Sequence, residues 1–173
     1  MRFFYPDHYV ESVHRIPYRK LWDKGYRLLL FDVDNTLETY ITKEPGAEVR
    51  RLIAELKEIG FTVILLSNGR EERVKTFSAP IGVSYYYRAG KPMPKGVRLA
   101  MRDTGFSEKE TIVIGDQIFT DVCCAHAAGA RAILTRPISY EIDEWITRPK
   151  RPLERLVLRG YFKKRQKNDR HKS

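Results

Sequence analysis

The chain has 173 residues, 42% hydrophobic and 31% charged, with a formal net charge of +10. That length suits one domain with a core large enough for independent stability, and the composition is that of an ordinary soluble globular protein. No apolar run approaches the ~20 residues of a membrane span, and Met1–Pro6 lacks the apolar core of a secretory signal. The two cysteines, Cys123 and Cys124, are adjacent. Neighbours in sequence make a poor disulfide and have no metal-binding spacing, so a reducing cytosol is expected.

The charge is uneven. Residues 1–27 hold six Lys/Arg against three Asp/Glu, residues 28–147 fifteen against seventeen, and residues 148–173 eleven against two. The expected organisation follows: an entry segment over 1–27, a near-neutral core over 28–147, and a basic helix and tail over 148–173. Basic ends favour an anionic partner, either a lipid headgroup surface or nucleic acid. A solvated tail that only aids solubility fits equally.

In residues 1–27, Tyr9, Val13 and Ile16 fall at helical spacing, and Pro17 should end that helix. A lid packed on the flank of a sheet is expected. Phe3, Phe4 and Trp22 beside Arg19 and Lys20 also suit a membrane interface. Leu28-Leu29-Leu30-Phe31 then reads as a strand buried on both faces, as in a parallel sheet. After a loop, Pro45 opens a helix to about Ile59, with Val49, Leu52, Ile53 and Leu56 on one face and Gly60 as its stop. Thr62–Leu66 is a second strand, Arg70–Phe77 a short helix and Val83–Tyr87 a third strand. Residues 94–104 form a helix ending near Gly105. Thr111–Ile114 is the fourth strand, Thr120–Ala128 a helix stopped by Gly129, and Arg131–Leu134 the fifth strand. Strand and helix alternate, which predicts an α/β fold with a doubly wound parallel sheet. Pro149 and Pro152 break the chain. Leu153, Leu156, Val157 and Tyr161 then mark one more amphipathic helix, with the Lys163–Lys167 run frayed.

Polar groups follow each central strand. Asp32 and Asp34 close the first, and alternate residues of an extended chain point the same way. Ser67 and Asn68 follow the second, Lys91 the third, and Asp116 with Asp121 the fourth. In a parallel sheet all these loops emerge at one edge, where ligands bind. Gathered there, the groups make a phosphoryl-transfer kit. A carboxylate nucleophile needs no deprotonation at neutral pH, a second carboxylate serves as acid and base, and a hydroxyl and an ammonium hold the transferring oxygens. The acidic groups should repel one another unless a cation such as Mg²⁺ sits among them. Simpler roles stay open for several: an Asx turn at Asp34-Asn35, a turn hydroxyl for Thr36, a chain turn at Ser67, a helix cap for Asp121.

This arrangement resembles the haloacid dehalogenase-like (HAD) phosphatases. The matching residues are Asp32-Val33-Asp34-Asn35-Thr36, Ser67, Lys91 and the run Gly115-Asp116-Gln117-Ile118-Phe119-Thr120-Asp121. The resemblance implies a Rossmann-like core in which Asp32 attacks phosphorus and Asp34 protonates the leaving oxygen, then activates water. It implies that Ser67 and Asn68 contact the substrate phosphate and that Lys91 offsets charge. It further implies Mg²⁺ held by Asp32, the Asp34 carbonyl and Asp116, with Asp121 supporting. Seven residues separate Leu37 from Pro45 and Ser67 lies 24 positions before Lys91, too little for the cap domains that enclose small substrates in this family. An open site suits a phosphate on something bulky.

The entry Tyr5-Pro6-Asp7-His8-Tyr9-Val10-Glu11-Ser12-Val13, the Ala89-Gly90-Lys91-Pro92 turn and the 115–121 run resemble the bacterial YqeG-type subgroup (subfamily IIIA). That subgroup is similar to phosphatidylglycerophosphate phosphatases. The implied partner is an anionic membrane lipid, and the implied location is the cytoplasm with contact to the inner membrane face. A nucleic-acid terminal phosphate or a soluble phosphometabolite would serve the same chemistry. A phosphoacceptor of the receiver type is the reading from another class. The carboxylate two residues after the nucleophile suits hydrolysis better. Suspected substrate contacts also include Arg70 and Arg88.

Overall fold

The computed structural model describes residues 2–140 and 148–170. Six strands form one sheet in the order β1-β6-β5-β2-β3-β4, every pair parallel. They are β1 (His8–Val10), β2 (Leu28–Phe31), β3 (Thr62–Leu66), β4 (Ser84–Tyr86), β5 (Thr111–Gly115) and β6 (Arg131–Thr135). The helices are α1 (Tyr18–Asp23), α2 (Ala47–Ile59), α3 (Glu71–Ser78), α4 (Lys95–Thr104), α5 (Cys123–Ala127) and α6 (Arg151–Arg170).

The central strands are apolar in their interiors because both faces are covered. Leu29 and Phe31 of β2 pack with Leu52, Ile53 and Leu56 of α2 and Val74 and Phe77 of α3. Leu28 and Leu30 point the other way, among Val97 and Ala100 of α4, Ala125 of α5 and the flank of α6 at Val157 and Leu158. The loops after β2, β3, β4 and β5 therefore share one edge, with β2 and β5 adjacent at its centre.

The entry segment departs from expectation. The helix read from Tyr9, Val13 and Ile16 does not form. His8–Val10 is instead an edge strand beside β6, followed by a single 3-10 turn at Val13–Arg15 and the short α1. Three residues carry too little pattern to announce a strand, and pairing with a partner far along the chain overrides local spacing. Trp22 is half-buried against the body of the fold. Its ring packs edge-on against Phe61 and under the Arg27 guanidinium, 3.8 Å from the centroid. Gly60 ends α2 at φ 113°, and a Cβ there would lie 2.6 Å from the Trp22 ring, so two constraints demand glycine. At the other end, α6 does not fray at Lys163 but continues through that run.

Asp7 fastens β1 to the body. Its carboxylate accepts from Arg131, from the Ala132 N–H at 2.9 Å and from His126 at 3.1 Å. Burial opposes the Asp7 charge, but these donors outweigh it and hold its carboxyl well below the usual range. The same bond raises the His126 imidazole above its usual 6.5. A raised folded-state value means this contact stabilises the fold fully below 6.5 and loses that contribution as pH climbs through the raised value. Urea unfolding midpoints should therefore fall across neutral to alkaline pH by an increment that His126→Gln removes. Asp7→Ala should cost about 2 kcal/mol at neutral pH.

Candidate active site

Asp32 sits one residue past β2, because that strand runs parallel to its neighbours and ends at the shared edge. Lys91 Nζ lies 2.6 Å from Asp32 Oδ1 and 2.6 Å from Asp121 Oδ1. Thr36 Oγ1 lies between the other two carboxylates, 3.3 Å from Asp32 Oδ2 and 3.4 Å from Asp116 Oδ1. Asp32, Asp116 and Asp121 each offer an oxygen within 4.8 Å of the others, and all three are buried. The expected gathering of distant carboxylates is thus present.

Several supports hold it. Asp121 is carried by a π-helical turn, Ile118–Val122, that follows β5, and its Oδ2 accepts the Gln117 N–H at 3.1 Å. The carboxylate lies so close over Gly115 that a Cβ there would stand 2.2 Å from Asp121 Cγ. Gly115→Ala should displace Asp121 and abolish most activity, since a carboxyl group cannot yield without leaving Lys91. Phosphatase assay beside thermal melting separates that loss from unfolding.

The second loop is also built for position. Ser67 Oγ accepts the Gly69 N–H at 2.9 Å, so the turn role left open for it is real, and its own hydroxyl proton remains to be donated. Asn68 clasps the backbone of Lys91: its Oδ1 accepts the Lys91 N–H at 2.9 Å and its Nδ2 donates to the Lys91 carbonyl at 3.0 Å. Its expected contact with substrate has only the second N–H to use. Asp34 is half-buried, and Arg73 of α3 donates to its Oδ1 at 3.0 Å. Arg73 also holds the Lys43 and Thr39 carbonyls, tying the loop after β2 to this acid. Arg70 and Arg88 are exposed beside these loops.

Three residues here escaped the reading of the sequence. Arg73 is one; Arg151 and Glu154 of α6 are the others. Arg151 donates to Asp116 Oδ2, to the Asp116 carbonyl at 2.9 Å and to Glu154 at 3.1 Å. Glu154 Oε1 accepts the Ile118 N–H at 2.6 Å and the Phe119 N–H at 3.3 Å, capping the turn that carries Asp121. Within the amphipathic pattern of α6 they look like ordinary surface charges. Only their fall on the buried face with Tyr161, at i, i+3 and i+10, could have flagged them.

Burial raises the Asp32 carboxyl well above the usual range, and Asp121, Asp116 and Asp34 add to it against Lys91. Burial likewise lifts Asp116 to about 7, with Arg151 opposing. Burial works against the Lys91 charge, yet Asp121 and Asp32 outweigh it and keep the ammonium protonated. Around this centre the carboxylates of Asp32, Asp34, Asp116, Asp121 and Glu154 face the cations Lys91, Arg73 and Arg151. With every one of these carboxyls ionised, the described residues carry an excess of two negative charges, which one divalent cation would offset, and an all-oxygen donor set is what Mg²⁺ takes.

Comparisons with known proteins show the family and the fold. A family model described as HAD-hydrolase-like matches residues 88–152. The probable phosphatase YqeG of Bacillus subtilis is 35% identical over 163 residues, spanning 94% of both chains. The chain belongs to the HAD-like phosphatases, in the YqeG-type group. Phosphatidylglycerophosphate phosphatase 1 of Arabidopsis thaliana is 27% identical over 94% of this chain but 49% of its own length. Among solved structures, a HAD family enzyme of Bacteroides thetaiotaomicron crystallised with magnesium and inorganic phosphate aligns at TM-score 0.54 and 16% identity. That match covers 70% of this chain and 97% of the other, and it establishes the shared fold.

If Arg151 orients Asp116 in this HAD site, Arg151→Ala should lower Mg²⁺ affinity, measured calorimetrically, by roughly 10- to 100-fold. Arg151→Lys should restore little, because a single ammonium cannot reach a carboxylate, a carbonyl and Glu154 together.

Proposed function

We propose that this HAD-like phosphatase is a Mg²⁺-dependent phosphomonoesterase that acts through an aspartyl-phosphate on Asp32, with phosphatidylglycerophosphate as substrate. One observation carries the mechanism: a buried carboxylate at the carboxyl end of β2, with one oxygen held 2.6 Å from an ammonium. The nucleophile is desolvated and oriented before substrate arrives, which favours attack.

The residues divide the work as follows. The Asp32 oxygen not held by Lys91 forms a bond to phosphorus as the ester oxygen leaves. Asp34, released from Arg73 and protonated from solvent, gives that oxygen its proton. Lys91 and the Ser67 hydroxyl hold the phosphoryl oxygens. Asp34 then takes a proton from water, the water oxygen bonds to phosphorus, and phosphate departs with Asp32 restored. Asp32, Asp116 and the Asp34 carbonyl would hold Mg²⁺, with Asp121 fixing Lys91 and the shell behind them. The ion supplies charge neutralisation on the transferring group.

The lipid substrate draws support from two sides. The plant relative bears that activity in its name. No cap covers the site: the loop after β2 and the α3–β4 stretch hold no inserted domain among the described residues. A diacyl substrate needs such an open approach. Residues 148–170 add positive charge near an anionic surface, in keeping with an enzyme working at the inner membrane face. No helix among the described residues is long and apolar enough to cross a membrane.

The test is phosphate release from phosphatidylglycerophosphate in mixed micelles, beside a panel of terminally phosphorylated oligonucleotides and soluble phosphate esters. Lipid turnover that exceeds the panel and falls at least roughly 1,000-fold in Asp32→Asn is the expected result. Faster turnover of an oligonucleotide or soluble ester would replace the substrate and leave the chemistry standing.

A further inference from the structure

The surface around the carboxylate cluster is not uniformly polar. Ile41 is 70% exposed, Met93 65%, Ile138 50%, Leu153 57% and Leu156 65%. Among the described residues these are all of the exposed large aliphatic side chains; the other exposed large hydrophobics are aromatic.

Their positions are not scattered. Ile41 lies on the loop after β2, which Arg73 ties to Asp34 through the Thr39 and Lys43 carbonyls. Met93 follows Lys91 by two residues, in a turn closed by its N–H on the Gly90 carbonyl at 2.8 Å. The Ile138 N–H donates to the Asn35 carbonyl at 3.0 Å, next to Asp34. Leu153 and Leu156 sit in the first two turns of α6, where Arg151 grips Asp116. Four separate segments, each bonded to a site loop, thus bring apolar groups to the carboxyl edge of the sheet. Exposed Tyr40, Tyr87 and Tyr140 come from the same segments. So do exposed Lys43, Arg88, Arg155 and Arg159, joined by Arg70 from the loop after β3, against exposed Glu44, Glu71 and Glu72 nearby.

We propose that this carboxyl-edge rim is a docking surface for an anionic phospholipid bilayer. It sets the phosphate site against the headgroup layer, with the aliphatic side chains at the acyl boundary. The proposal rests on the lipid-phosphate reading of the site and goes beyond it, because it puts the contact at the mouth of the site rather than at the basic ends of the chain.

The composition selects a bilayer over a polynucleotide. Bases are held by aromatic stacking over a basic groove, and exposed Ile, Leu and Met offer nothing to them. A membrane interface uses all three classes present here: aliphatics that enter, tyrosines at headgroup level and cations for anionic lipid. Each basic residue near such a surface strengthens partition about fivefold. The geometry also suits the task. A docked rim would present a lipid phosphate to Asp32 without lifting the lipid from the membrane.

Co-sedimentation of the full chain would be measured with phosphatidylcholine vesicles alone, and with vesicles also containing phosphatidylglycerol. Neither contains substrate. The expected result is binding to the anionic vesicles that weakens by roughly tenfold or more in Ile41→Asp/Leu156→Asp. Hydrolysis of p-nitrophenyl phosphate by that variant should be unchanged, which shows the fold intact. Arg155→Glu/Arg159→Glu should weaken binding independently, so the result does not hang on one variant. Three outcomes overturn the proposal: no binding by the wild type, binding that survives the rim substitutions, or tighter binding to RNA that the same substitutions remove. A wild-type dimer made monomeric by the rim substitutions would also overturn it, by assigning the face to self-association. Lipid-phosphate turnover in detergent without vesicle binding would remove docking and spare the substrate. Binding without turnover would do the reverse.

Discussion

Three buried carboxylates brought within 4.8 Å of one another are the constraint on which the rest of this molecule turns. Asp32, Asp116 and Asp121 would drive each other apart or take up protons if nothing compensated them. Compensation comes from two directions. Lys91 enters from the β4 side and bridges Asp32 and Asp121; Arg151 enters from α6 and holds Asp116. With the carboxyls ionised, the described residues leave two negative charges over, which suits the site to a divalent cation and to an anionic ligand bound through it.

This view changes the standing of the peripheral elements. The C-terminal helix is not an appendage to a self-sufficient sheet. Its first turn supplies one cation and, through Glu154, the cap of the π-helical turn that carries Asp121. Further along, Tyr161 stacks edge-on against Tyr5, and Phe162 against Tyr9, so the helix also binds β1 to the body. Asp7 closes the same circuit from the opposite edge through His126 and Arg131. Chain ends that differ in charge from the core are therefore structural partners of the core. Arg151 turns one of their positive charges inward, onto Asp116.

Much of this was legible beforehand because it is local. The runs at 28–31, 63–66 and 112–114 are apolar at every position, as a sheet covered on both faces requires. Each is closed by glycine or a polar turn. Once strand and helix alternate, right-handed crossovers leave a single edge for the loops, so Asp32, Ser67, Lys91 and Asp116 had to converge. What escaped was non-local. The β1 strand is three residues long and owes its conformation to β6, more than a hundred residues away. Arg73, Arg151 and Glu154 lie on helices whose patterns mark them as surface, yet the partners of Arg151 and Glu154 lie more than 30 residues distant. The packing of Phe61 on the Trp22 ring is non-local in the same way.

The sequence by itself determined the class of fold, the edge at which chemistry can occur and the identities of the acids and the lysine placed there. Periodicity and strand order are enough for that, because they constrain backbone direction. Tertiary structure alone decided which charges offset which, that α6 completes the site, and that aliphatic side chains from four segments share its rim. Those depend on contacts between residues far apart in the chain, and no local pattern encodes which distant side chain will arrive to neutralise a buried carboxylate.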